Sequence, residues 1–178
     1  MADSFFPVAK CRGDARFEID TDKARLDRVL IHDFLSRSHW SPGIPMAVVE
    51  RAIEHSLAFG LYADGGQIGF ARVVTDHATF AYLADVFVLP EARGQGLGDW
   101  LVETILAHPE LRGLRRWLLG TSYAHGLYRR HGFNEPAPPF AFLERNDPEI
   151  YRRMAKGARR RPKALAHGTV ALNPAAPP

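Results

Sequence analysis

The chain has 178 residues, 46% hydrophobic and 24% charged, which suggests one globular domain of ordinary composition. Its single cysteine, Cys11, excludes an internal disulfide and a cysteine-built zinc site, and no apolar stretch approaches the roughly 18 residues of a membrane helix. The net charge of +3 is unevenly spread: Arg152 to Lys163 holds seven basic residues and no acidic one, leaving 16 basic against 20 acidic residues elsewhere. The N-terminus lacks the positive start and apolar run of a signal peptide, so a reducing, cytoplasmic location with no membrane partner is the expectation.

In chain order, residues 1–16 read as a loose N-terminal extension. Phe17 to Asp20 reads as a first strand. Asp20 or Thr21 is placed to cap a helix that carries Leu26, Val29, Leu30 and Phe34 on one face. The segment "SRSHWSPGIP" breaks it. A second helix is expected over Met46 to Leu57, with Met46, Val49, Ile53 and Leu57 as its stripe. Asp64-Gly65-Gly66 between two β-rich runs signals a hairpin. A turn at "TDHA" leads into "TFAYLADVFVLP", the best buried-strand candidate. After three glycines, Leu97, Leu101, Val102, Ile105 and Leu106 give a helical stripe. "RRWLLG" reads as a short strand, "SYAHGLYRRHGF" as a short helix, and "FAFLE" as a last strand. This order predicts an α+β fold with a mixed sheet, with the domain over 17–151. Residues 152–178 form a basic, Pro-rich tail, read first as a solvated extension. A nucleic-acid role for that tail is the weaker reading.

The stretch "VFVLPEARGQGLGDW" places glycines between a strand and a helix. That is an anion site by construction: the helix N-terminus presents unpaired N–H groups and a positive dipole end, and glycines let the backbone be approached. Arg93 adds a donor suited to phosphate. No Lys-Ser/Thr pair follows, so this is not a P-loop. Asp99 occupies the place of the third glycine of a dinucleotide fingerprint, which argues against that motif. The pattern Arg93, Gly96, Gly98 after a strand resembles the acyl-coenzyme A loop of the GNAT superfamily of N-acetyltransferases. About 30 residues on, Leu127-Tyr128 followed by Gly132-Phe133 resembles a second signature of that family. The likeness spans roughly Leu57 to Glu144. It implies a GNAT-like three-layer fold, a mixed and mostly antiparallel twisted sheet flanked by helices.

The same resemblance implies acetyl-CoA as co-substrate, no metal, and acetyl transfer to a primary amine by direct attack in a ternary complex. Backbone groups of Phe87 and Val88 would pair with the pantetheine arm. The N–H groups of Arg93, Gly94, Gln95, Gly96, Leu97 and Gly98 would hold the pyrophosphate. Tyr128 would face the thioester sulfur as proton or hydrogen-bond donor. Asp85 interrupts an apolar strand and is the leading candidate base; the alternative is an ordinary ion pair with Arg72 or His125. His125 and His77 are further candidates. The acceptor pocket is expected from the first two helices and their loop, with Ser38, His39, Trp40 and Tyr82 as candidates and Trp40 able to stack on a cation. A small-molecule amine is the expected partner, and the family allows a homodimer. Two alternatives stay open: an acyl-CoA-binding or sensing protein without turnover, and a protein or peptide acetyltransferase.

Overall fold

The computed structural model describes residues 6–136 and 142–158. One six-stranded sheet runs in the order β1 (Val8–Arg12), β2 (Ala15–Asp20), β3 (Leu57–Ala63), β4 (Gly66–Thr75), β5 (Phe80–Val88), β6 (Arg116–Leu118). The first five strands are antiparallel to their neighbours, and β6 joins β5 in parallel. Between β2 and β3 lie α1 (Arg28–Arg37) and α2 (Met46–Glu54); α3 (Leu97–Leu106) follows β5, α4 (His125–Arg130) follows β6, and α5 is Ile150–Ala158. The expected α+β class and mixed sheet are present.

Each face of the sheet buries its own apolar cluster. Phe17, Ile19, Phe59, Leu61, Val73 and Leu83 pack against α3, through Leu97, Leu101, Val102 and Ile105. On the other face, Ala58, Phe70 and Phe87 pack against Ile31 and Leu35 of α1 and Val49 and Ile53 of α2. The helices thus cover an apolar cluster on each face of the sheet, and burial of that apolar area stabilises the fold.

Three local readings are corrected. Residues 8–12 do not form a loose start: they make β1, joined to β2 by a turn at Gly13-Asp14, with Gly13 at φ 59°. The cap of α1 is Asp27, whose side chain accepts from Leu30 N–H at 2.9 Å, because a short 3-10 turn over Lys23–Arg25, capped by Asp22, takes up the chain after β2. The buried face of α1 is therefore Ile31 and Leu35, and Val29 is 68% exposed. Finally, α2 stops at Glu54, and Leu57 opens β3. The "FAFLE" strand lies partly outside the described residues; its described part, 142–144, is irregular.

Two features of β5 position the site. It pairs with β6 only through Phe80, Ala81 and Tyr82, so Leu83 to Val88 have no β6 partner among the described residues. It also carries a bulge: Phe70 pairs with Phe87 but Arg72 pairs with Ala84. Asp85 sits in this bulge at φ 54°, a left-handed conformation that Asp tolerates better than most residues. The extra residue reverses the alternation of side chains. Ala81 and Leu83 face α3, whereas Phe87 turns to the opposite face and stacks on Phe34 of α1 at 3.8 Å between centroids.

Candidate active site

The unpaired edge of β5 runs directly into the glycine loop. A short turn over Pro90–Ala92 ends at Arg93, and α3 starts at Leu97. Gly94 and Gly96 have φ of 76° and 69°, so both positions require glycine's freedom. A Cβ built on either would meet nothing within 4 Å, so the loop faces open space. Gly98 differs: it lies inside the first turn of α3 with ordinary φ, 3.9 Å from Leu127 as measured from its ideal Cβ. The Arg93 side chain is exposed but also bonds back to the strand before the loop. Its Nε donates to the Val88 carbonyl at 2.9 Å, tying the end of β5. A second arginine, Arg12 of β1, donates from Nη1 to the Gln95 carbonyl at 2.8 Å.

Asp85 is held by two donors. Arg72 Nε donates to one carboxylate oxygen at 2.5 Å, and Trp40 Nε1 donates to the other at 3.2 Å. The side chain of Asp85 is only 9% exposed, and Arg72 also reaches Ser56 Oγ at 3.4 Å. The ion pair with Arg72, one of the two alternatives legible in the sequence, is therefore present; His125 makes no such contact. The same carboxylate fixes the indole of Trp40, which ties the loop between α1 and α2 to the bulge of β5.

Tyr128 lies on α4, buried against Phe133, and lines a cavity of about 300 Å³ with Trp117, Leu119, Thr121 and His125. Burial pushes its phenol above the usual tyrosine value. α4 is pinned to the glycine-loop helix by Asp99, which accepts from Arg130 Nη2 at 2.8 Å and Nε at 3.0 Å, with His131 Nε2 at 3.3 Å. The Arg130 hydrogen bond, followed by its charge and by His131, holds the Asp99 carboxyl below its usual value. Asp99 also sits in the first turn of α3, where the helix dipole favours a negative charge.

The acceptor-side residues are only partly gathered. His39 packs edge-on against Trp40 at 5.0 Å and against Tyr123 at 5.4 Å, closing the α1–α2 loop over the β6–α4 connection. Tyr82 is exposed on the sheet near Gly120. Trp40 borders a second cavity, about 570 Å³, with Phe34, Leu89, Asp33 and Glu91. Ser38 is absorbed by structure: its Oγ donates to the Leu35 carbonyl and accepts from Ser41 N–H. His77 sits in the β4–β5 turn, at the opposite end of β5 from the glycine loop, paired with Glu110. It has no place as a base there. Sequence reading missed Tyr123 and the whole of β1. The alternation in "VAKCRGDARFEID" around Gly13-Asp14 was the available hairpin signal for the latter.

Comparison with known proteins adds to this geometry. Residues 54–135 match the family model described as an acetyltransferase (GNAT) domain. A curated relative from Gibberella zeae, assigned as an acetyltransferase, is 33% identical over 148 residues, covering 70% of this chain and 81% of that one. A crystal structure from Xanthomonas campestris pv. campestris, assigned to the same family, is 53% identical with a TM-score of 0.74, covering 76% of this chain and 96% of that one. The ribosomal-protein-S18-alanine N-acetyltransferase of Escherichia coli is 27% identical with a TM-score of 0.56, covering 67% and 79%.

Proposed function

Because the chain belongs to the GNAT family of acetyltransferases and is an acyltransferase, we propose that it moves the acetyl group of acetyl-CoA to a primary amine of a small molecule, by direct attack in a ternary complex. The observation that carries this reading is the junction of an unpaired strand edge with an open glycine loop at the N-terminus of α3. The β5 edge suits an extended amide-bearing arm, which would add to it as a strand does, at Phe87 and Val88. The N–H groups of residues 93–98, with the dipole of α3, suit a pyrophosphate. The exposed Cys11 suits a reducing compartment, and on this reading the enzyme is cytoplasmic.

The transfer sets two proton tasks. An alkyl amine, with a pKa near 10.4 by analogy with lysine, arrives as an ammonium and must lose a proton before its lone pair can attack the acetyl carbon. The new C–N bond forms, the nitrogen sheds a second proton, and the C–S bond breaks to release a thiolate that takes one up. Tyr128 is the donor to that sulfur. A phenol near 10 protonating a thiolate near 8.5 is uphill by about 2 kcal/mol, and burial raises the Tyr128 phenol further. Its role is accordingly a hydrogen bond that stabilises the developing thiolate. Asp85 is the candidate acceptor of the amine proton. Arg72 and Trp40 leave lone pairs on both of its oxygens, and the Trp40 contact lets it hold the indole, against which His39 packs, on the acceptor side. An aromatic face there suits a cationic amine before it is deprotonated.

The test is release of free thiol from acetyl-CoA over a panel of primary amines. Tyr128→Phe is expected to lower kcat about 10- to 1000-fold with acetyl-CoA affinity retained. Equal turnover by the wild type and Tyr128→Phe would remove Tyr128 from the chemistry, and no turnover on any amine would favour an acyl-CoA-binding role. A second reading, acetylation of a peptide N-terminus, is favoured by the likeness to the enzyme whose name gives a ribosomal-protein alanine as its substrate. Peptides in the same panel decide between the two.

A further inference from the structure

We infer that Arg12, on the N-terminal hairpin, is a positioning residue for the phosphate-binding loop. The inference rests on the reading of that loop as the acetyl-CoA site and deepens it. Arg12 Nη1 donates to the Gln95 carbonyl at 2.8 Å across 83 residues of sequence. In a trans peptide the carbonyl and the following N–H point in opposite directions. Holding the Gln95 carbonyl toward β1 therefore aims the Gly96 N–H away from it. That N–H donates to no described residue, and an added Cβ on Gly96 would meet nothing within 4 Å.

The restraint matters because of what the loop is made of. A peptide joining Gln95 to a glycine in the left-handed region turns over easily, since Gly96 has no Cβ to oppose it. Turned over, it would present a carbonyl oxygen to an incoming phosphate in place of a donor. Arg12 blocks that state and cancels part of the carbonyl's negative end. β1 is itself seated firmly enough to act as the anchor. It pairs with β2 along its length, and the Lys10 ammonium lies 4.2 Å from the centre of the Trp100 ring on α3. The hairpin thus grips the glycine loop and the first turn of its helix at two points.

The experiment measures binding of acetyl-CoA and of acetyl-pantetheine, which lacks the pyrophosphate, to the wild type, Arg12→Ala and Arg12→Lys, with thermal unfolding of each. Arg12→Ala is expected to weaken acetyl-CoA binding about tenfold, to leave acetyl-pantetheine binding and Tm unchanged, and to be partly rescued by Arg12→Lys. Wild-type affinity for acetyl-CoA in Arg12→Ala would overturn the inference, as would an equal loss for both donors accompanied by a lower Tm. Gly96→Glu separates this from the functional reading. If Gly96→Glu loses acetyl-CoA while Arg12→Ala does not, the loop is the site and Arg12 is irrelevant to it. If the wild type binds no acetyl-CoA, both readings fall.

Discussion

Tyr62 shows how a single side chain can oppose the fold that contains it. It is 3% exposed on β3, and its hydroxyl has no hydrogen-bond partner among the described residues. The hydroxyl lies over Gly60, where an added Cβ would come within 2.4 Å of it, so only glycine fits beneath the ring. The Arg25 guanidinium lies over the ring at 4.5 Å while paired with Glu18 and Asp20. Burial, more than these charges, pushes the phenol up to about 12. An unsatisfied buried hydroxyl costs about 1–3 kcal/mol. Tyr62→Phe removes that cost and keeps the ring under Arg25, so it is expected to raise Tm, by about 2–4 °C per kcal/mol in a chain of this size. A fall in Tm on thermal unfolding would mean that the hydroxyl is satisfied after all. Of the residues singled out in sequence, Asp85 stood out because it interrupts an apolar strand, and Tyr128 because of the signature it shares with Leu127, Gly132 and Phe133. What sequence left open was which of two roles Asp85 plays, because both begin from the same buried carboxylate. The contacts to Arg72 and Trp40 show the ion pair directly, and the lone pairs they leave keep the base role as the proposal.

Elements with strong local signals were legible, and those set by distant contacts were not. The β3–β4 hairpin follows from Asp64 and Gly65, which take the positive φ of 47° and 88° that its turn requires. α3 follows from its stripe and the glycines before it. The end of α2 was overrun because Leu57 continues the helical period, yet it is drawn into β3 by pairing with Val73 of β4. The bulge in β5 left no signal beyond one acidic residue, since it is decided by register against β4. His108 is a further case. It follows α3, caps the turn over Pro109–Leu111 by accepting from Glu110 N–H at its Nδ1, and stacks on Phe6 at 5.2 Å. Burial lowers its pKa, Glu110 opposes this and His77 adds to it. The folded pKa thus lies below the unfolded value near 6.5. The unfolded chain takes up the proton first, so this contribution to stability is present above about pH 6.5 and is lost as pH falls through the folded pKa. Tm measured from pH 7.5 down to 5 should fall more steeply for the wild type than for His108→Asn, which keeps a capping oxygen without a titrating group. Parallel curves would show that His108 is not responsible.

At the scale of the whole molecule, one sheet with a cluster on each face leaves the β5 edge beyond Tyr82 unpaired among the described residues. α3 and α4 cover one side of β5, and α1 and α2 cover the other. The strand between them loses β6 after Tyr82. The Asp85 bulge lies on that unpaired stretch, the glycine loop follows it, and the Tyr128 helix is joined to the loop helix through Arg130 and Asp99. Asp99–Arg130 and Arg12–Gln95 tie the separate elements to the loop. On the proposed function, this unpaired edge and its loop bind acetyl-CoA. Isothermal titration of the purified chain with acetyl-CoA, beside Gly96→Glu, tests it most directly. Micromolar binding by the wild type and its loss in Gly96→Glu are expected, because a carboxylate and a strained backbone would both oppose the pyrophosphate. Equal binding by both proteins, or none by the wild type, would contradict it.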